Sequence, residues 1–447
     1  MNLIYGIKDK PKFSQLLIFA FQQVLAILAA TIAVPAIVGN GMSASAALLG
    51  AGVGTIVYQL FTKFRSPVFL GSSFAFIGSM VAAFAGAASA SAGFAGLIIG
   101  ALFAGLVYVV IALVVKVAGV KWINKLMPPV VIGPTVALIG LSLAGAAIKD
   151  VFSYGPQDAN GSFIMAGSAW PSLICALITL FVVIMASTYG KKMTKLIPFI
   201  FGILAGYVAA VIFTLIGNAT GNDALKVIDF SIFEGIKLFA IPEFTFVKAL
   251  KGVKDIDGAF IATIAVAYVP VAFVVFAEHI ADHKNLSSII GSDLLEEPGL
   301  HRTLLGDGIG SFVGAIFGGC PNTTYGESVG CVAITRNASV ITITTAAIMC
   351  MVISFFGPFV ALLDSIPGCV MGGVCTTLYG FIAVSGLKMI QKVDLNQNKN
   401  LFVTASILIP GIGGMAMAIG PVTLTAIACS LILGIITNLL VSKAAEE

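Results

Sequence analysis

Residues Gly258 to Ala277, GAFIATIAVAYVPVAFVVFA, form a run of 20 without a charge, and apolar runs of similar length recur from about residue 14 to about residue 441. About 20 such residues cross roughly 30 Å of hydrocarbon as a helix. Lipid admits only segments that satisfy their backbone N–H and C=O groups internally. The runs read as spans at 14-38, 44-61, 67-86, 93-118, 128-147, 169-189, 194-217, 258-282, 302-318, 319-336, 338-356, 358-386, 398-418 and 421-441. Composition agrees: 59% of the 447 residues are hydrophobic, 10% are charged, and mean hydropathy is +1.07. A soluble globular domain is excluded. The expectation is an all-α polytopic membrane protein of about fourteen spans. The first run follows Lys8, Lys10 and Lys12 and leads into further spans, so it reads as a transmembrane helix and not as a cleaved signal peptide.

The net charge is only +4, and its placement is more informative than its size. Lys and Arg fall in alternate connections: the N-terminal arm, Lys63 and Arg65, Lys116, Lys121 and Lys125, Lys191, Lys192 and Lys195, Lys284 and Arg302, Arg336, Lys388, Lys392 and Lys399, and Lys443. The connections near 40, 88, 357 and 420 carry none. This is the positive-inside pattern, and it places both termini on the cytoplasmic side of a cell's cytoplasmic (inner) membrane. The longer connections, 148-168 and 218-257, have mixed charge and fall on the other side.

The connection 218-257 divides the spans into seven and seven. ALLGAGVGT (Ala47 to Thr55) matches TLLGDGIGS (Thr303 to Ser311), and MPPVVIG (Met127 to Gly133) matches IPGCVMG (Ile366 to Gly372), in the same order. Since seven is odd, the two halves must lie upside down relative to each other, an inverted repeat.

The third span of each half is interrupted. The first contains Gly71, Ser72 and Ser73; in the second, PNTTYGES separates two apolar pieces too short to span alone. Backbone breaks at membrane depth survive only inside protein or along a cavity, and paired breaks point to a substrate site. Glu327 lies at the second break, where a carboxylate is costly and functional by default. The alternative is a surface loop with Glu327 in water.

The segment FAEHIADH (Phe276 to His283) places Glu278 and Asp282 on one helical face and His279 and His283 on another. Two readings compete. Either this is an interfacial helix end, or the helix begins later than Gly258 and continues through KNLSSIIG, which carries Glu278 inside. His283 and His301 receive no role. The seven cysteines lack metal-ligand spacing and read as packing residues. No H-E-x-x-H, P-loop or nucleophile elbow is present, so an enzyme, a metal site or a bound cofactor is not expected.

The segments QQVLAILAATIAVP (Gln22 to Pro35), LGSSFAF (Leu70 to Phe76), AEH (Ala277 to His279), EPGLHR (Glu297 to Arg302) and PNTTYGESVGCVAITR (Pro321 to Arg336) together resemble the nucleobase-ascorbate transporter family, and within it the bacterial uracil permeases. Its signature Q/E-N-x-G-x-x-x-x-T-R is met by Glu327, Gly330, Thr335 and Arg336. The resemblance implies a core domain (14-118 with 258-356), a gate domain (128-217 with 358-441), and short strands in spans three and ten. It implies that Glu278 and Glu327 accept hydrogen bonds from a base, that backbone N–H groups near Phe74 and Gly326 donate to it, and that Tyr325 and Phe74 wall it. It also implies proton symport, with Glu278 and Asp282 as the coupling pair because neighbouring carboxylates oppose double ionisation. A homodimer is common in the family. Three departures bear on the substrate: Ser328 stands where the signature has Asn, Gln23 where many uracil permeases have His, and Asp282 where relatives carry either His or Asp. Glu327 favours uracil over xanthine, and Asp282 weakens that preference. Sodium coupling, a xanthine symporter, an uncoupled facilitator and an anion carrier of the same architecture are the competing expectations. Two acidic site residues speak against the last.

Overall fold

The computed structural model describes residues 3–119, 128–152, 169–419 and 422–442. The first half comprises α1 (Phe13–Val38), α2 (Ala44–Phe61), strand β1 (Leu70–Ser72) leading by a 3-10 turn (Phe74–Phe76) into α3 (Ile77–Ala85), α4 (Ala90–Ala118), α5 (Pro129–Ser142) continued by α6 (Ala144–Val151), α7 (Trp170–Tyr189), the single turn α8 (Met193–Leu196) and α9 (Pro198–Thr220). A connection containing α10 (Thr245–Leu250) follows. The second half repeats the order: α11 (Gly258–Ile290), α12 (Leu300–Gly318), β2 (Asn322–Thr324) with α13 (Gly326–Thr335), α14 (Val340–Ile353), α15 (Gly357–Asp364) with α16 (Gly368–Ile390), α17 (Asn398–Ile412) and α18 (Ala426–Val441). A hairpin of β3 (Met417–Ile419) and β4 (Val422–Leu424) joins the last two helices. Lys121, Lys125, Met127, Lys443, residues 420 and 421 and most of the 148-168 connection, on which parts of the charge and repeat readings rest, lie outside the described residues.

Side-chain caps set several helix starts. Ser43 accepts from Ala46 N at α2, Ser89 from Ala92 N at α4, and Asp257 from Phe260 N at α11. Each satisfies one of the N–H groups that a helix start leaves unpartnered. Among the described residues eight helices are long and apolar enough to cross a membrane by themselves; the half-helices of the interrupted spans and several shorter helices are not. Exposed Leu106, Val110, Leu113 and Val117 form a stripe along α4, and Leu204, Val208, Ile212 and Leu215 form one along α9. Apolar stripes of this kind suit contact with lipid.

The two halves pack reciprocally. α11 lies on α4 as α1 lies on α14, and α12 lies on α4 as α14 lies on α2. α17 lies on α5 as α16 lies on α7. The equivalent helices α2 and α12 cross at the repeated glycines: a Cβ on Gly54 would lie 2.7 Å from Gly310 O, and one on Gly310 2.7 Å from Gly54 O. The relation between the halves passes through this crossing, where only glycine lets the backbones approach. One group of helices contains α1–α4 with α11–α14, the other α5–α9 with α16–α18, and they meet through α1, α11 and α13.

Three span readings are corrected. α11 starts at Gly258, not later, and continues to Ile290, 33 residues or about 50 Å; the capping Asp257 fixes the start and Gly291 (φ 71) the end. The expected span 358-386 is two helices, parted at Ser365–Pro367 because the residue before a proline leaves the helical region. The span 398-418 stops at Ile412 ahead of Gly413 and Gly414, the latter at φ 72.

Candidate functional site

The two interrupted spans meet. β1 and β2 pair antiparallel, with Leu70 opposite Thr324, Gly71 opposite Thr323 and Ser72 opposite Asn322. Antiparallel pairing of equivalent strands is what an inverted repeat requires. Two further bonds extend the ladder, Ser73 N to Pro321 O at 2.9 Å and Tyr325 N to Phe69 O at 3.2 Å. Side chains close its edges: Thr55 Oγ1 accepts from Leu70 N at 3.0 Å, Ser328 Oγ from Phe69 N at 3.2 Å, and Asn322 Nδ2 donates to Gly50 O at 3.0 Å. These bonds are how irregular backbone is tolerated at membrane depth. PNTTYGES is therefore no surface loop; Pro321 to Tyr325 are all buried.

Gly71 has a local reason. The Tyr325 ring lies where a Cβ would stand, and its hydroxyl donates to Ser72 O at 2.7 Å. That bond fixes the ring across the strand pair, against which α13 begins.

A cavity of about 500 Å³ opens beside these elements, between the two groups of helices. Phe74, Tyr325, Gly326, Glu327, Glu278 and Asp282 line it from the first group. The second contributes Val136, Ile139, Phe199, Leu378, Phe381 and Ile382. Ser187, Lys195, Ser385 and Met389 stand towards the span ends that carry the basic connections. Thr324 Oγ1 donates to Asp282 Oδ2 at 2.8 Å, so the strand pair orients that carboxylate. Glu278 projects one turn earlier on α11, and Glu327 sits in the first turn of α13, where a carboxylate complements the helix N-terminus. The cavity thus joins apolar walls, three carboxylates, one lysine and the first turns of two half-helices, whose leading N–H groups have no intrahelical partner. It can accept hydrogen bonds through the carboxylates and donate them through the main chain.

Phe74 also meets Tyr379 of α16 edge to face, 6.2 Å between centroids, bridging the two groups. Among the described residues no cluster of His, Cys, Asp or Glu is arranged to hold a metal.

Of the residues singled out from the sequence, Glu278, Asp282, Glu327, Phe74, Tyr325 and Gly326 come together here. Gln23 and Ser328 do not line the cavity: both are buried, and Gln23 Nε2 donates to Ser328 O at 3.4 Å behind the strand pair. Nor is His283 an interfacial residue. It is fully buried, with Nδ1 2.8 Å from His279 O and Nε2 2.7 Å from Tyr58 Oη. His279 stacks on it and lies 2.7 Å from Asp307 Oδ2 and 3.0 Å from Thr303 Oγ1. Sequence reasoning passed over this chain of polar contacts behind α11. The available signal was Asp307 itself, a lone charge in TLLGDGIGS where the matching position of the first half is Ala51. Residues 13–118 contain no Asp or Glu, so every carboxylate of the cavity belongs to the second half.

The permease family model matches residues 14–420. The chain is 39% identical to the uracil permease of Bacillus caldolyticus over 98% of its own length and 94% of the relative's, and 37% identical to that of Bacillus subtilis (strain 168) over 99% and 96%. The uracil permease of Escherichia coli (strain K12) is 32% identical over 96% and 92%. Among solved structures, the transmembrane domain of the cyanobacterial bicarbonate transporter BicA superposes with a TM-score of 0.63 at 16% identity, covering 97% of this chain and 100% of that one. SLC26A9 gives 0.65 at 14%, covering 97% and 66%. At such identities the likeness is one of fold.

Proposed function

The chain belongs to the permease family of nucleobase-ascorbate transporters, and from that membership we propose that it imports uracil across the cytoplasmic membrane together with protons. The observation that carries the reading is the convergence of Glu278 and Glu327 on one cavity beside the first turns of two half-helices. Uracil is a flat ring with two N–H donors and two carbonyl acceptors. Carboxylates and main-chain N–H groups complement it, and the apolar walls with Phe74 and Tyr325 suit its faces.

In this reading Glu278 and Glu327 accept from the base, and main-chain N–H groups near Phe74 and Gly326 donate to its oxygens. Gln23 and Ser328 act from behind by holding the strand pair. Glu278 and Asp282, one turn apart, share the coupled proton. The helix groups serve as core (14-118 with 258-356) and gate (128-217 with 358-441), and transport moves one against the other. With the basic connections and both termini taken as cytoplasmic, the cavity's extension towards those connections supports an inward-facing arrangement. Three carboxylates against one lysine disfavour an anion as substrate, whatever the structural neighbours carry.

The test is uptake of radiolabelled uracil into proteoliposomes, with and without an inward proton gradient and with xanthine as competitor. Gradient-driven accumulation that xanthine blocks only weakly is the expected result. Accumulation of xanthine alone would move the substrate assignment to purines. Equilibration without accumulation would make the protein a facilitator.

A further inference from the structure

The N-terminal arm does more than lead into the first span. It lies alongside the linker between α13 and α14 as a parallel strand would: Ile4 N and Tyr5 N donate to Arg336 O at 2.8 and 3.4 Å, Ala338 N to Tyr5 O at 2.9 Å, and Val340 N to Ile7 O at 3.1 Å. Ser339 Oγ adds a bond to Asp9 O at 2.6 Å. Arg336, which ends α13, is held in the left-handed region at φ 55, a conformation that a non-glycine residue keeps only when its surroundings impose it. Leu3 reaches further, packing on the small buried cluster that contains Val68, Leu70 of β1, and Val329 and Val332 of α13. The arm is therefore bonded to the linker and packed on a cluster to which the strand and the half-helix beside the cavity both contribute.

Its outer face is basic. Lys8, Lys10 and Lys12 are exposed, none forms an ion pair with a described residue, and the apolar Ile4 and Phe13 are exposed beside them. The single carboxylate of the arm, Asp9, is exposed as well and accepts from Gly6 N at 2.7 Å, so the three lysines leave the arm net basic. Lysines flanked by apolar side chains at the end of a span are suited to the phosphates of an anionic leaflet, which attract such segments residue by residue.

We propose that residues 3–12 form a headgroup-binding strap: Lys8, Lys10 and Lys12 dock on anionic phospholipid and so hold the Arg336–Val340 linker, and with it the half-helix α13. An anionic bilayer then tightens the strap, and a neutral one leaves it free to peel away. The consequence for transport rests on the function proposed above; the consequence for the linker does not.

The experiment compares the full chain in vesicles of phosphatidylcholine with vesicles of an equimolar mixture with phosphatidylglycerol, following hydrogen exchange at the Ala338 and Val340 amides and the KM for uracil. The expected result is exchange slowed several-fold by the anionic lipid, a lower KM, and loss of both responses in the K8Q/K10Q/K12Q variant. These lysines are on the surface, so the variant folds. Equal exchange in both lipids, or a response that survives the triple substitution, would overturn the strap. So would equal protection by inorganic phosphate in neutral vesicles, which would reassign the lysines to free anions. Absence of uracil uptake in every vesicle, with the exchange response intact, would count against the transport reading alone.

Discussion

Glu327 is the residue on which the substrate reading depends most, because it is both the first residue of the signature and a lining residue at the start of α13. A hydrogen bond to a charged acceptor contributes about 1.5–3 kcal/mol. Glu327→Gln is therefore expected to raise the KM for uracil about tenfold or more, read from uptake at graded substrate. Glu278→Gln, at the proposed coupling pair, is expected to abolish accumulation against a gradient while exchange of uracil across the vesicle persists. Accumulation that survives in Glu278→Gln would move the coupling to another residue. Both residues were legible in the sequence, since a carboxylate in an apolar run is conspicuous wherever it falls. Gln23 and Ser328 were legible as members of a motif but not by position, because only the strand pairing reveals that they stand behind the wall. The contact between His279 and Asp307 was harder still. It joins side chains 28 positions apart across two helices, and nothing in the local pattern specifies that pairing.

At the level of elements, span number and the two interruptions followed from run length and from Gly, Ser and Pro at matching places. Boundaries did not, since an almost wholly apolar helix carries no amphipathic signal to mark where it leaves the membrane, as the 33 residues of α11 illustrate. The α2–α12 crossing gives a direct test. Adding a methyl where two backbones touch is overpacking, at a cost of about 1–3 kcal/mol. Gly54→Ala and Gly310→Ala are each expected to lower the melting temperature of the purified protein. Because both report one contact, the double variant should cost less than the two costs added. Gly78→Ala in α3 is the contrast: its Cβ would meet nothing nearer than Ile427 Cδ1 at 3.8 Å, so it should be neutral or mildly stabilising.

On the scale of the whole molecule, the contact between Phe74 and Tyr379 spans the two groups that the proposed transport cycle must separate. With cysteines at both positions, a short bifunctional thiol reagent is expected to stop the uptake that the double variant shows before treatment, whereas each single-cysteine variant should take up uracil at the same rate before and after the same treatment. The seven native cysteines are all buried, which favours labelling at the introduced pair. Continued uptake by the crosslinked protein would mean that the groups need not part. The repeat that builds this architecture also sets a limit on it. Residues 13–118 have no Asp or Glu, whereas the matching region of the second half brings Glu278, Asp282 and Glu327 to the cavity. Had both copies kept such residues, the charge crowded into that space would double, and like charges in a poorly polarisable interior repel strongly. The halves are thus free to resemble each other in shape but not in chemistry: one brings no acid group to the cavity and the other brings all three, and substitutions of equal size will be felt unequally on the two sides.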